Sequence, residues 1–388
     1  MRKIKKTLCV ILSVMLVFTS MAIASSAAEI GDTGSFSILN YNVAGLPIPS
    51  SLAEDGKDAF ADSFLIGAAI NALDYDIVAV QEDFNYDVYL RDQLTIYDNV
   101  LSSSSVITER HQTDHSGGVP LGDGLNIFSK YALYNDNRVA WEETSGITTD
   151  GSDELIPKGL LVVTIELEEG YYLDLYDIHI DAYSGEGSVA ARRAEFTQLA
   201  EYIMKHSVYD ETTGTYDHAV IVTGDFNASI YLEDEEYGDC LVENLLEAAH
   251  LNDAWAVQTI DAIEEDPSDY SAYYEYAEVT SLTEDQAWGH YDSVERFCYA
   301  DGNGIDLSLD DFYYFEICDD TGRSLSDHYA ASATFSYEII EKVQDTSSSH
   351  DSADTTQNVG FLFKFLNYIA SLFKAIGLLL QDYMNWFN

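Results

Sequence analysis

From residue 36 to residue 336 the chain alternates short apolar runs with longer amphipathic stretches. The runs "FSILNYNV", "DIVAVQE", "GLLVVTIEL", "YYLDLYDIHI" and "HAVIVTGDFN" have the length and β-branched content of strands. Helical spacing marks the stretches from Asp62 to Leu73 and from Val189 to Lys205. Interleaved strands and helices, with both alternating and continuous apolar runs, predict an α/β fold whose sheets are covered by helices. Several strand-like runs end on polar residues. In "VIVTGDFNASI", Asp225 and Asn227 stand two positions apart, so in an extended chain both emerge on one face.

The two ends of the chain depart from this pattern. Residues 1–28 carry Arg2, Lys3, Lys5 and Lys6, then an apolar run, then small residues ending at Ala28, the build of a cleaved secretory leader. Residues 29–340 are the expected catalytic domain, with "IDAIEEDPSDYSAYYEYAEVT" as an acidic, tyrosine-rich surface insertion. Residues 341–358 are polar and read as a flexible linker. In residues 359–388 the polar positions Lys364, Asn367, Ser371, Lys374, Gln381 and Asn385 fall on one narrow helical stripe. That predicts an amphipathic interfacial helix, lying on lipid or packing on a partner, for Lys374 interrupts any membrane span. The expected location is extracellular, with cell-surface association open.

Charge narrows the partners. The formal net charge is −50, and losing the leader's four cations and no anions takes it to −54. Such a surface repels polyanions at long range, which disfavours nucleic acid, although a metal in the site inverts the sign locally. Cys240, Cys298 and Cys318 remain after the leader, at spacings that match no zinc pattern. Cys298 and Cys318 flank a predicted hairpin and are the candidate bridge.

Five polar interruptions carry the candidate chemistry: Asn42, Gln81 with Glu82, His179 with Asp181, Asp225 with Asn227, and Asp327 with His328 in "SLSDHYA". Each ends or follows a strand-like run, so each is expected at one rim of a sheet. Singly, each has a structural explanation as a turn former, a solvated strand end or a bonded histidine. "TERHQTDHSGG", with Glu109, His111, Asp114 and His115, reads as an exposed loop, and Arg192-Arg193 as a surface ion-pair feature.

In their order along the chain these residues resemble the endonuclease/exonuclease/phosphatase superfamily, whose members include deoxyribonuclease I-like nucleases, inositol polyphosphate 5-phosphatases and bacterial sphingomyelinase C. The resemblance runs from about Phe36 to Phe335. It implies a four-layer αββα sandwich, two packed mixed sheets flanked by helices. It also implies a Mg²⁺ site, open to other divalent cations, with Glu82 as principal ligand helped by Asn42. His328 would be the general base for in-line attack of water on phosphorus, and Asp225 would position that water. Asn227 and His179 would hold phosphoryl oxygens, with His179 or a metal-bound water stabilising the departing oxygen.

The family usually orients its base histidine with an aspartate. Here "SVERFCY" puts Glu295 at that point, and either Glu295 or Asp292 is the expected partner of His328. The stretch Asp153, Lys158-Gly159, strand, His179 and the early "YNVAGLP" are similar to the sphingomyelinase C branch. The implied activity is a secreted phosphodiesterase acting on a phosphoester, best a phospholipid. An extracellular nuclease and a weakly catalytic surface-binding module are the alternatives.

Overall fold

The computed structural model describes residues 30–46, 58–84, 86–102, 122–146, 153, 156, 158–228, 241–261 and 294–342. The predicted leader, the histidine-containing stretch 107–117, most of the tyrosine-rich insertion, Cys240, Asp292, and the linker and helix of residues 344–388 lie outside them.

Two six-stranded mixed sheets form the body. One contains β1 (Thr33–Asn42), β2 (Ile77–Gln81), β3 (Asn99–Leu101), β4 (Asn126–Ser129), β13 (Ile305–Phe315) and β14 (Ala330–Ile339), in the order β13-β14-β1-β2-β4-β3. The other contains β5 (Leu133–Ala140), β6 (Gly159–Glu168), β7 (Tyr171–His179), β10 (Ala219–Asp225), β11 (Asn252–Asp253) and β12 (Glu295–Ala300), in the order β11-β12-β10-β7-β6-β5. β8 (Tyr209–Asp210) and β9 (Thr215–Tyr216) make a small separate ribbon. At the middle of each sheet lies a parallel pair, β1 with β2 and β7 with β10.

Side-chain alternation on the central strands explains the layering. On β1 and β2, Leu39, Tyr41, Val78 and Val80 pack outward against Ile66 and Ile70 of α1 (Ala59–Leu73) and Leu90 of α2 (Asp87–Arg91). Ile38 and Ile77 face the other way, into the large core between the sheets. Outside the second sheet, Phe196, Leu199 and Ile203 of α3 (Glu186–His206) join the same contiguous buried cluster. Helix, sheet, sheet and helix are the four layers expected.

Along the inward-facing rows the residues become polar toward the carboxyl ends of the strands. The rows read Ile38, Asn40, Asn42 on β1; Ile77, Ala79, Gln81 on β2; Leu175, Asp177, His179 on β7; and Ile221, Thr223, Asp225 on β10. One end of the inter-sheet space is hydrophobic core and the other is a polar site.

Two expectations fail. Cys298 is a buried free thiol on β12, and Cys318, just beyond β13, is an exposed one. The strands between them belong to different sheets rather than to one hairpin, so no shared turn brings the thiols together. Arg192 is fully buried and donates to the carbonyls of Asp181 at 2.6 Å and Tyr183 at 2.7 Å; only Arg193 is exposed.

Candidate active site

The strand ends deliver the candidate residues. Asn42 closes β1, His179 closes β7 and Asp225 closes β10, where Asp225 pairs with His179 on one side and with Glu295, the first residue of β12, on the other. Gly224 just before Asp225 has φ +143°, and a Cβ there would lie 2.1 Å from the carbonyl oxygen of Ile178. Only glycine lets β10 approach β7 this closely at the site. Glu82 follows β2 with φ 56° and Asn227 follows β10 with φ 45°. Such left-handed conformations are costly for a side chain as long as Glu, and strain of this kind gathers at functional positions.

The groups form one connected cluster. Asn42 Nδ2 donates to Glu82 Oε1 at 3.1 Å and to Asp225 Oδ2 at 2.9 Å, so a carboxamide sits between two carboxylates. His179 Nε2 is 3.5 Å from Asp225 Oδ2 and 4.0 Å from Glu82 Oε1. His328 Nδ1 is 2.5 Å from Glu295 Oε1 and 3.9 Å from Asp225 Oδ2. The longer Glu295 side chain therefore reaches the histidine. Ser326 fixes the loop that carries it: Ser326 Oγ donates to the Asn42 carbonyl at 2.7 Å and accepts from the His328 amide at 3.2 Å. Asn227 is held by its own amide bond to Asp225 Oδ1 at 3.0 Å, and its Nδ2 donates to the Ile180 carbonyl at 2.9 Å. Asp327 is exposed beside His328.

The charges are unbalanced. Burial pushes the Asp225 carboxyl up to about 6, with Glu295 adding to the shift and His328 opposing it. Burial also opposes charge on His328, but Asp225, Glu295 and Glu82 outweigh it and carry the imidazole up to about 10. His179 goes the other way: burial, then Lys158 and His328, hold it well below the usual histidine range, so it is neutral at pH 7. Its Nδ1 has no hydrogen-bond partner among the described residues, whereas Nε2 faces carboxylates, so the proton belongs on Nε2.

Beneath these groups lies a polar layer of which sequence reasoning singled out Gln81 and missed Asn40 and Asp177. Gln81 Nε2 donates to Asn40 Oδ1 at 2.7 Å and to Asp177 Oδ1 at 2.6 Å, and Asn40 Nδ2 donates to the Gly224 carbonyl at 3.0 Å. Burial raises the Asp177 carboxyl well above the carboxylate range, with Gln81 opposing. The Gln81–Asp177 and Asn40–Gly224 bonds cross from one sheet to the other and set the spacing between Asn42 and Glu82 on one side and His179 and Asp225 on the other. Asn40 and Asp177 each stand two residues before a candidate site residue, a spacing visible in the sequence. Further back, Lys158 Nζ is 2.6 Å from Asp153 Oδ1 and donates to the Ile180 carbonyl at 3.0 Å.

The donor set fits a divalent cation. Glu82, Asn42 and Asp225 offer hard oxygen donors, and Glu82 keeps 24% of its side chain exposed, which leaves ligand positions open to water. The partial positive charge of the Asn42 amide lies between two carboxylates, where a cation would relieve their repulsion. Asp225, Glu295 and His328 also bring ligand atoms within 4.8 Å of one another.

No family model matches the chain. It is 33% identical over 226 residues to proteins described as sphingomyelinase from Mycobacterium bovis and Mycobacterium tuberculosis, over 58% of this chain and 39% of each relative. The chain thus spans about two fifths of the length of the curated relatives it matches. A crystal structure of a beta toxin mutant from Staphylococcus aureus with bound magnesium ions is similar in fold, with a TM-score of 0.50, 15% identity, and coverage of 77% of this chain and 99% of that one. Sphingomyelinase C from Streptomyces griseocarneus has a TM-score of 0.48, 16% identity, and coverage of 78% and 99%. The chain is thus similar in sequence, over those 226 residues, to the mycobacterial sphingomyelinases, and its two-sheet fold is similar to that of the beta toxin.

Proposed function

We propose that the protein is a Mg²⁺-dependent phosphodiesterase of the sphingomyelinase type. The observation that carries this reading is the Glu295–His328 pair standing beside the Asn42, Glu82 and Asp225 cluster at the carboxyl ends of four central strands. Glu82 and Asn42 would hold the ion, Asn42 through the carboxamide oxygen that now accepts from the Ala44 amide at 3.0 Å. Glu295 is the less suitable ligand, since binding there would break the bond that orients His328. When bound, the ion supplies Lewis-acid stabilisation of charge on the phosphoryl oxygens and offsets the carboxylates.

The carboxylates that hold a second proton on His328 would be offset by the bound cation; the imidazole then keeps one proton on Nδ1, which Glu295 accepts, and Nε2 takes a proton from an attacking water. Asp225 accepts a hydrogen bond from the second hydrogen of that water, which stays on the oxygen, and holds its lone pair toward phosphorus. As the new P–O bond forms, the bond to the departing alcohol breaks; the alcohol oxygen takes its proton from solvent water, and His328 returns to solvent the proton it took. His179, neutral and protonated on Nε2, and Asn227 donate hydrogen bonds to phosphoryl oxygens, where charge grows in the transition state.

The sequence supports two further parts of this proposal: the leader an extracellular location, and the apolar residues 359–388 contact with a membrane surface. The test is turnover of sphingomyelin, phosphatidylcholine and plasmid DNA by the full chain, with Mg²⁺ or with chelator, beside His328→Ala. Mg²⁺-dependent release of phosphocholine, reduced about 10² to 10⁴-fold in the variant, is expected. Cleavage of DNA alone would assign a nuclease, and no turnover on any substrate would assign a binding module.

A further inference from the structure

α1 is apolar around most of its circumference, and only part of it is covered. Its inner residues Ile66 and Ile70 pack on the first sheet, yet Phe60 (46%), Phe64 (49%) and Leu65 (41%) are exposed. Asp62 is the one charged residue of the helix, and it is buried and bonded to Arg323 at 2.6 and 3.1 Å. The exposed face of α1 therefore carries no charge, on a chain whose formal charge is −50.

α2 extends this face. A Cβ on Gly67 would lie 2.4 Å from the carbonyl oxygen of Leu90, so glycine is what lets the two helices touch backbone to backbone. Their aromatic rings then meet: Phe60 and Tyr89 have centroids 4.5 Å apart, Phe60 and Tyr86 6.0 Å, and Tyr89 and Val88 are each 40% exposed. Monomeric proteins rarely leave a contiguous face of this kind without a use for it.

The face borders the site. Tyr86 is four residues from Glu82, which places their Cα atoms at most about 14 Å apart. On the other flank, Arg323 joins α1 to the loop that carries Ser326 and His328.

Resting on the proposed reading of the site, we infer that the exposed aromatic face of α1 and α2 is a docking surface for a zwitterionic lipid bilayer, on which the enzyme seats itself beside its substrate. A face with no exposed charge on α1, and with the opposite charges of Arg91 and Asp92 at the end of α2, suits a surface of zero net charge. A second copy of this chain, or an anionic membrane, would meet electrostatic repulsion from the rest of the surface. Phe and Tyr are side chains that bury a ring at such an interface, and Tyr keeps its hydroxyl in the wet layer.

The test is sedimentation of the full-length protein with phosphatidylcholine vesicles in the presence of chelator, which separates binding from turnover. A Phe60→Ser/Phe64→Ser/Tyr89→Ser variant with an unchanged far-ultraviolet spectrum should partition at least tenfold less, and Tyr134→Ser, exposed on β5, should partition like wild type. With the metal restored, the ratio of vesicle to soluble-phosphodiester hydrolysis should fall by the same factor. Equal partitioning of the triple variant overturns the inference and leaves binding to another segment, residues 359–388 included. Wild-type protein that stays in the supernatant overturns it, and so does a wild-type dimer that the variant converts to a monomer. A protein that binds vesicles in this way but hydrolyses no phosphodiester would refute the functional reading while the docking surface stands.

Discussion

A Glu295→Gln variant keeps the shape of the side chain that holds His328 Nδ1 and removes its charge. Hydrogen bonds to a charged partner contribute about 1.5–3 kcal/mol. Full Coulomb interaction of two unit charges 4 Å apart is about 4 kcal/mol at an effective dielectric of 20. His328 keeps 21% of its side chain exposed, so the lower part of this span applies. A loss of about 2 kcal/mol corresponds to a roughly 30-fold fall in kcat. The same loss lowers the His328 pKa, now about 10 in the ion-free protein, by roughly 1.5 units.

Three measurements check this. Steady-state kinetics on a soluble phosphodiester at saturating divalent ion give kcat, and NMR of the imidazole gives the pKa. Unfolding in urea gives the linked stability. Because folding raises the His328 pKa, the protonated imidazole stabilises the fold fully below about pH 6.5. That stability is lost as the pH rises through about 10, so ion-free wild-type protein should weaken across this window and the variant should weaken less. Glu295→Asp withdraws the carboxylate by one methylene and should lie between the two. Wild-type kcat in Glu295→Gln, with His328 still titrating near 10, would refute the pairing.

Other perturbations have equally definite outcomes. Gly224→Ala drives a methyl into the Ile178 carbonyl at a left-handed backbone, and should cost about 2–4 kcal/mol in urea denaturation. Gln81→Ala strips the partners from Asn40 and from the buried Asp177; it should cost about 1–3 kcal/mol and lower kcat more than it raises KM, since the two halves of the site lose their spacing. Arg323→Ala leaves the Asp62 carboxylate buried without its guanidinium and should cost about 1–3 kcal/mol, with faster amide exchange in residues 324–329 as the second readout.

The site was more legible in the sequence than its supports. Asn42, Glu82, His179, Asp225 and His328 interrupt apolar runs, and an interruption is visible without knowing what it faces. Glu295 was legible as a position, but its choice over Asp292 depended on the paired register of β10 and β12, which fixes where the carboxylate starts. Asn40 and Asp177 were passed over because a single polar residue within a strand looks like noise until the opposite sheet supplies its partner. Arg192 was read as a surface residue, because the carbonyls that receive it come from the turn after β7, a tertiary contact. The cysteine pairing failed for a similar reason: adjacency along the chain does not tell which sheet a strand joins.

The gradient from apolar to polar along the inward rows bears on assembly. Asn42 and Glu82 belong to one sheet, His179 and Asp225 to the other, and the same interlayer face holds both the hydrophobic seal and the reactive end. A refolding chain can form its helices and either sheet and still have no competent centre. On the proposed function, recovery of turnover would then time the closing of the two leaves upon each other, and the activity assay would serve as a clock for that docking event.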